Sequence, residues 1–189
     1  MALDDLDDDF DFDEFFAEQS GQTVAEYRAE VKLRNYFYDK SQQYIETDSK
    51  EWPLITFNWN IDATEQRFSL DSMTLVDFNK FYPEGFLLGY VNLQELDKYL
   101  HSFSRRDEGE LWKVGCQTKL ASLIIYLSEN RPIAPPLVKP VEGGLFVFQG
   151  GHHRYAIAKE IGIEEIPIHA EPEYKHKINE ILNVRWAKA

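Results

Sequence analysis

A single cysteine, Cys116, among 189 residues leaves no internal disulfide to form. So few thiols fit a reducing compartment, and the cytoplasm is the expected location. No apolar run approaches the ~20 residues that a membrane-spanning helix needs. The N-terminus also lacks the basic-then-apolar order of a secretion signal. A Walker loop, a serine nucleophile elbow and a cysteine–histidine pair are all missing, which removes the commonest phosphate-loop and covalent-hydrolase signatures. Positive charge is wholly absent from residues 1–20, which hold nine acidic side chains. Those nine account for most of the formal net charge of −13, and the rest of the chain is close to balanced at −4. A chain of this sign repels nucleic acid, so nucleic-acid binding is not expected.

What is present describes an ordered protein. Hydrophobic residues make up 43% and aromatics 14%, enough for one well-filled core. The organisation expected is an acidic, flexible tail over 1–20 followed by a single α+β domain over 21–189. In the tail Leu3, Leu6, Phe10, Phe12, Phe15 and Phe16 are interleaved with carboxylates, a mixture suited either to a basic, grooved protein partner or to a solvated tail whose Phe residues fold back onto the body. Thr23 and Glu26 have capping-box spacing, and Val24, Tyr27, Val31, Arg34 and Tyr38 mark a core-facing helical stripe. Short β-prone runs at 54–59, 67–70 and 86–91 follow, with Asn92 and Glu95 capping a helix from Leu93. Trp52, Phe57, Trp59 and Phe68 are expected in the core. Residues 105–110 are charged and glycine-containing, the pattern of an exposed turn. A helix over 117–127 should end before Pro132, a hairpin should turn at Glu142-Gly143-Gly144, and Gly162 suits a helix C′ position. Pro167 should place its strand at a sheet edge. A last helix is expected to carry Tyr174, Ile178, Ile181, Leu182 and Arg185, with Trp186 pinning its end.

The most informative stretch is Gly150-Gly151-His152-His153-Arg154-Tyr155. It follows an apolar strand pattern and opens a helical one. Glycines without Cβ atoms let the backbone approach a ligand closely. The N–H groups of a helix's first turn point outward along its axis, and the helix dipole favours anions there. Arg154 adds a fork suited to phosphate oxygens. Adjacent histidines diverge by about 100° on a helix and do not chelate one metal well. His152 is open to a phosphate contact, to acid–base work near neutral pH, or to filling the turn. His101, His169 and His176 are scattered, and packing or surface roles are expected for them.

Together with its flanks, NRPIAPPLVKPVEGGLFVFQGGHHRYAIAKEIGIEEIPIHA over 130–170, this stretch resembles the ParB/sulfiredoxin superfamily. The shared order is a proline-rich turn, two strands, a glycine–histidine–arginine turn, a helix and a strand beginning Ile-Pro. The Gly-His-His-Arg form is similar to that of ParB-like free-serine kinases. The resemblance implies a mixed sheet with surrounding helices over about 112–189, with the N-terminal and middle regions as an elaboration. It implies nucleotide binding, ATP or CTP with Mg²⁺, at Gly150, Gly151, His152, His153 and Arg154, with His152 and His153 as the catalytic candidates. His152 stands where sulfiredoxins carry their nucleophilic cysteine, so thiol-dependent sulfinic-acid reduction is not expected.

Two classes of function stay open at this level. One is a nucleotide-dependent kinase or NTPase, which would need carboxylates to orient a nucleophile and hold Mg²⁺. Glu30, Asp62, Asp77, Asp97 and Glu110 are all available. The other is an acidic interaction protein, such as an antitoxin, immunity or inhibitor protein, built on an inactive scaffold.

Overall fold

The structure, a computed structural model, describes residues 11–70 and 73–188. Residues 1–10 of the acidic segment lie outside it. The remainder of that segment forms helix α1 (Phe12–Ser20), capped by the Asp11 carboxylate on the Asp13 and Glu14 N–H groups and closed by Gly21. α1 packs on α2 (Val24–Ser41), where Phe16 stacks on Tyr27 and Asp13 pairs with Arg28 at 2.6 Å. Thr23 and Glu26 form the expected capping box. The expected stripe of α2 holds only for its first half, where Val24, Tyr27 and Val31 are half-buried. Phe37 and Ser41 are buried, whereas Arg34 and Tyr38 are exposed. Three consecutive aromatics, Tyr36 to Tyr38, surround the helix, so spacing alone could not choose a face. The choice falls to α5 (Gln117–Ser128), whose Tyr126 and Ser122 meet Phe37 and Ser41.

The middle region is less strand-rich than its composition implies. β1 is only Asn58–Trp59, paired in parallel with β3 (Pro132–Ile133). The expected strand at 67–70 is mostly the end of a 3₁₀ segment, Ala63–Ser69. Asp62 caps that segment, and Gln66 holds it by bonding both the N–H and the C=O of Phe86. These side-chain bonds to backbone supply what a strand ladder would otherwise provide. Phe68 is 46% exposed rather than in the core, lying beneath the Arg67 guanidinium. Trp52 is buried, and Phe57 stacks on Trp59 against the core as expected. Helix α3 (Leu75–Phe81) precedes the main sheet.

That sheet has the order β5-β4-β6-β2-β7 and mixes parallel with antiparallel pairs. Its strands are β2 (Leu87–Asn92), β4 (Leu137–Pro140), β5 (Phe146–Gly150), β6 (Glu165–Ala170) and β7 (Arg185–Trp186). Asn92 caps α4 (Leu93–Lys98), and Glu142-Gly143-Gly144 turns the β4–β5 hairpin, both as expected. β6 is central, not an edge strand, despite Pro167. The His169 N–H faces β4, donating to the Pro136 carbonyl at 2.8 Å. Residues two apart share a side, so Pro167 points its nitrogen at the same flank. There β4 pairs with β6 only at Leu137↔His169, and no ladder bond is lost. The last helix, α7 (Lys175–Asn179), is shorter than expected, and Arg185–Trp186 instead add β7 to the edge of β2. The Trp186 indole N–H donates to Asn179 and ties the two together.

One face of the sheet carries the larger core. Val138, Phe146, Phe148, Ile166 and Ile168 meet α4, α5 and α6 (His152–Glu160) there. Tyr155 to Ala158 are all buried, because α6 lies between the sheet and α5. Gly162 is in the left-handed region just beyond its end, as expected. The opposite face holds a smaller cluster of Phe78, Phe86 and Leu137. Among the described residues no helix is long and apolar enough to cross a membrane.

Candidate functional site

At the C-terminal end of β5 the chain enters α6 through Gly150 and Gly151. A Cβ on Gly150 would overlap the Ser69 carbonyl oxygen. Gly151 has φ +98°, and a Cβ there would stand 2.6 Å from Pro136. The glycine pair thus lets two protein segments, 63–69 and 134–136, close on the turn. Arg154 is 8% exposed and joins the same segments. Its Nη1 donates to the Ala134 and Pro135 carbonyls at 3.0 and 3.2 Å, and its Nη2 to the Phe68 carbonyl at 3.1 Å. These are charge-assisted bonds to backbone, so the guanidinium works as an internal clamp.

Beneath the clamp lies a buried pair. The Ser69 hydroxyl donates to the Pro135 carbonyl at 2.8 Å, and its oxygen sits 2.7 Å from His169 Nδ1. With its proton so used, Ser69 accepts from His169, which places the imidazole proton on Nδ1. Burial, and secondarily the Arg154 charge, push the His169 pKa down to about 4. His169 is therefore a neutral packing histidine on the small-core face.

The outer side of the turn opens into a cleft of about 640 Å³. Arg106, Lys119, His152 and His153 bring cationic or titratable nitrogen to it, and Phe103, Val114, Leu123 and Ile133 give it an apolar wall. Arg106 is only 6% exposed. Its Nη1 bonds the Arg105 carbonyl at 3.0 Å and, more weakly, that of Ser104 at 3.5 Å. Nε and Nη2 have no acceptor, and the group has no ion pair, among the described residues. Burial holds its pKa below the ordinary arginine value. Its Nη2 comes within 3.5 Å of where a Cβ on Gly115 would stand, and His153 Nε2 within 3.2 Å, so the bare glycine leaves room over both groups.

α6 fixes the Arg106 backbone from behind. The Arg106 N–H donates to the Tyr155 hydroxyl at 3.3 Å, and Lys159 Nζ donates to the Arg106 carbonyl at 2.6 Å. Lys159 also bonds both Asp97 oxygens, and the Tyr155 hydroxyl donates to the same carboxylate. Burial, reinforced by Asp97, pushes the tyrosine pKa well up, so the phenol keeps its proton. On the other flank Ser104 Oγ accepts from the Phe148 N–H at 3.0 Å and lies 3.2 Å from His152 Nε2. His152 sits edgewise to Phe103 and Phe148.

The expected residues thus divide. His152 and His153 face the cleft, Gly150 and Gly151 shape the turn, and the Arg154 head binds carbonyls. The candidate carboxylates lie away from the cleft lining. Asp97 is taken by Tyr155 and Lys159, Asp62 caps a 3₁₀ segment, Asp77 accepts from the Thr74 hydroxyl, Glu110 accepts from the Asp107 N–H, and Glu30 from Gln22. No cluster of metal-ligating side chains occurs among the described residues. Sequence reasoning missed Ser104 and Arg106, because 105–110 reads as an exposed charged turn. Asp107 and Glu108 are indeed exposed, but Arg106 turns inward. The only available signal was the excess of arginine at its start. No protein-family model matches this chain, nor does any curated protein or solved structure match it significantly.

Proposed function

We propose that the cleft at the start of α6 binds a phosphate-bearing small molecule, which the ParB/sulfiredoxin resemblance narrows to a nucleotide such as ATP or CTP. One observation carries this reading: Arg106 is a buried guanidinium with no carboxylate within ion-pair distance among the described residues, and its unused donors border an open cleft. A buried charge without a counter-charge is destabilising by several kcal/mol unless something compensates it. An anion in the cleft would do so, with Lys119, the two histidines and the positive end of α6 adding to the attraction. Arg154 also lines the cleft, and three of its donors are held by the Ala134, Pro135 and Phe68 carbonyls, so it braces the cleft wall from the inside.

The described lining does not suit Mg²⁺, which prefers oxygen donors, because the polar groups around the cleft are cationic or imidazole nitrogens. No phosphoryl-transfer step is derived from them. Titration calorimetry with ATP, CTP and inorganic tripolyphosphate, for wild type and Arg106→Met, tests the proposal. Binding that weakens with salt and falls at least tenfold in the variant is expected. Failure of all three ligands to bind wild type would overturn it.

A further inference from the structure

The cationic side of the cleft is joined by an aromatic ring whose exposure the fold does not explain. Phe103 is 71% exposed, although it stands beside the apolar wall of Val114, Leu123 and Ile133. Its recorded ring neighbour is His152, perpendicular at 88° and 5.9 Å between centroids. One edge-on neighbour leaves at least one face of the phenyl ring open. The ring is also firmly presented. The Phe103 N–H donates to His101 Nδ1 at 3.2 Å, the Ser104 N–H to the His101 carbonyl at 2.8 Å, and Ser104 Oγ accepts from the Phe148 N–H. A hydrogen-bonded turn therefore holds an open aromatic face on the lining of the same cleft that Arg106 borders, and Arg106 is a buried guanidinium with no ion pair among the described residues.

We infer that Phe103 is the stacking platform for the base of a nucleotide whose phosphates lie toward Arg106 and Lys119. This rests on the nucleotide-binding reading above and adds the residue that would hold the base. A bare polyphosphate would satisfy Arg106 but leave the ring and apolar wall in water. A nucleotide uses both the ring and the guanidinium, since every base has a π-face that stacks on an aromatic side chain. Stacking tolerates different bases, so ATP and CTP should both bind, with modest discrimination between them.

The test compares ATP and CTP with inorganic tripolyphosphate by calorimetry, on wild type, Phe103→Ala and Phe103→Tyr. Phe103 lies in the surface and both variants should fold, which circular dichroism checks. The nucleotides should bind wild type about tenfold or more tighter than tripolyphosphate. Phe103→Ala should remove that excess while leaving tripolyphosphate affinity unchanged, and Phe103→Tyr should retain it. Equal affinity for nucleotide and tripolyphosphate, or nucleotide binding indifferent to Phe103→Ala, overturns the stacking role and leaves the anion site standing. Binding of neither class overturns both.

Discussion

Replacing Arg154 by methionine should destabilise the whole domain, not merely empty a ligand site. Methionine fills much of the same space, so the cavity left is small. The loss is polar. The buried Ala134 carbonyl loses a guanidinium donor at 3.0 Å, and the Pro135 carbonyl loses one of its two donors but keeps Ser69. The Phe68 carbonyl sits beside an exposed side chain and can turn to water. An orphaned buried carbonyl costs about 1–3 kcal/mol and a lost charge-assisted bond a similar amount. The sum is about 3 kcal/mol, since Pro135 stays half satisfied. For a domain of this size that lowers the melting temperature by roughly 6–12 °C. Urea unfolding followed by fluorescence of the four tryptophans would report it, with the m-value unchanged. A stability loss below about 0.5 kcal/mol, within the range of an ordinary surface change, would refute the clamp.

Arg106→Met should behave in the opposite way, weakening anion binding at least tenfold while leaving the anion-free domain as stable as wild type or more so. Calorimetry beside urea titration separates the two effects, and a large destabilisation would show that Arg106 is a second clamp. Gly150→Ala sets a Cβ against the Ser69 backbone, which cannot move aside as a flexible side chain would. A loss of about 3 kcal/mol or more is expected, visible as early urea unfolding or failure to fold. His169 has a folded pKa of about 4 against 6.5 in the unfolded chain. The unfolded state therefore binds the extra proton between those values, and stability should fall as pH drops from about 6.5 toward 4, by about 3 kcal/mol. His169→Gln should flatten that stretch of the stability–pH curve, and an unaltered slope would assign it to other groups.

Local signals were legible where a few neighbouring residues decide the outcome. The Thr23 capping box, the Asn92 cap, the glycine hairpin at 142–144 and Gly162 at a helix end all depend on contacts within a few positions. Longer-range competition decided the rest. The run at 67–70 is β-prone, yet Gln66 ties it to Phe86 twenty residues away. Pro167 looks like an edge signal, but its nitrogen meets a flank where the neighbouring strand has already diverged. Arg185 and Trp186 fit a helical pattern until β2 offers them a free edge.

The same division runs through the candidate site. From the sequence alone came a glycine-paired strand-to-helix turn with two histidines and an arginine, because close backbone approach and helix entry leave a compact local pattern. Which of those groups faces outward depends on which carbonyls fold over the turn, and those come from residues 68, 134 and 135. Tertiary packing therefore made Arg154 internal and brought Arg106 and Phe103, nearly fifty residues upstream, to the cleft. A guanidinium reads the same in sequence whether it clamps carbonyls or awaits an anion. Only the surrounding acceptors, present for Arg154 and missing among the described residues for two donor nitrogens of Arg106, distinguish the two roles.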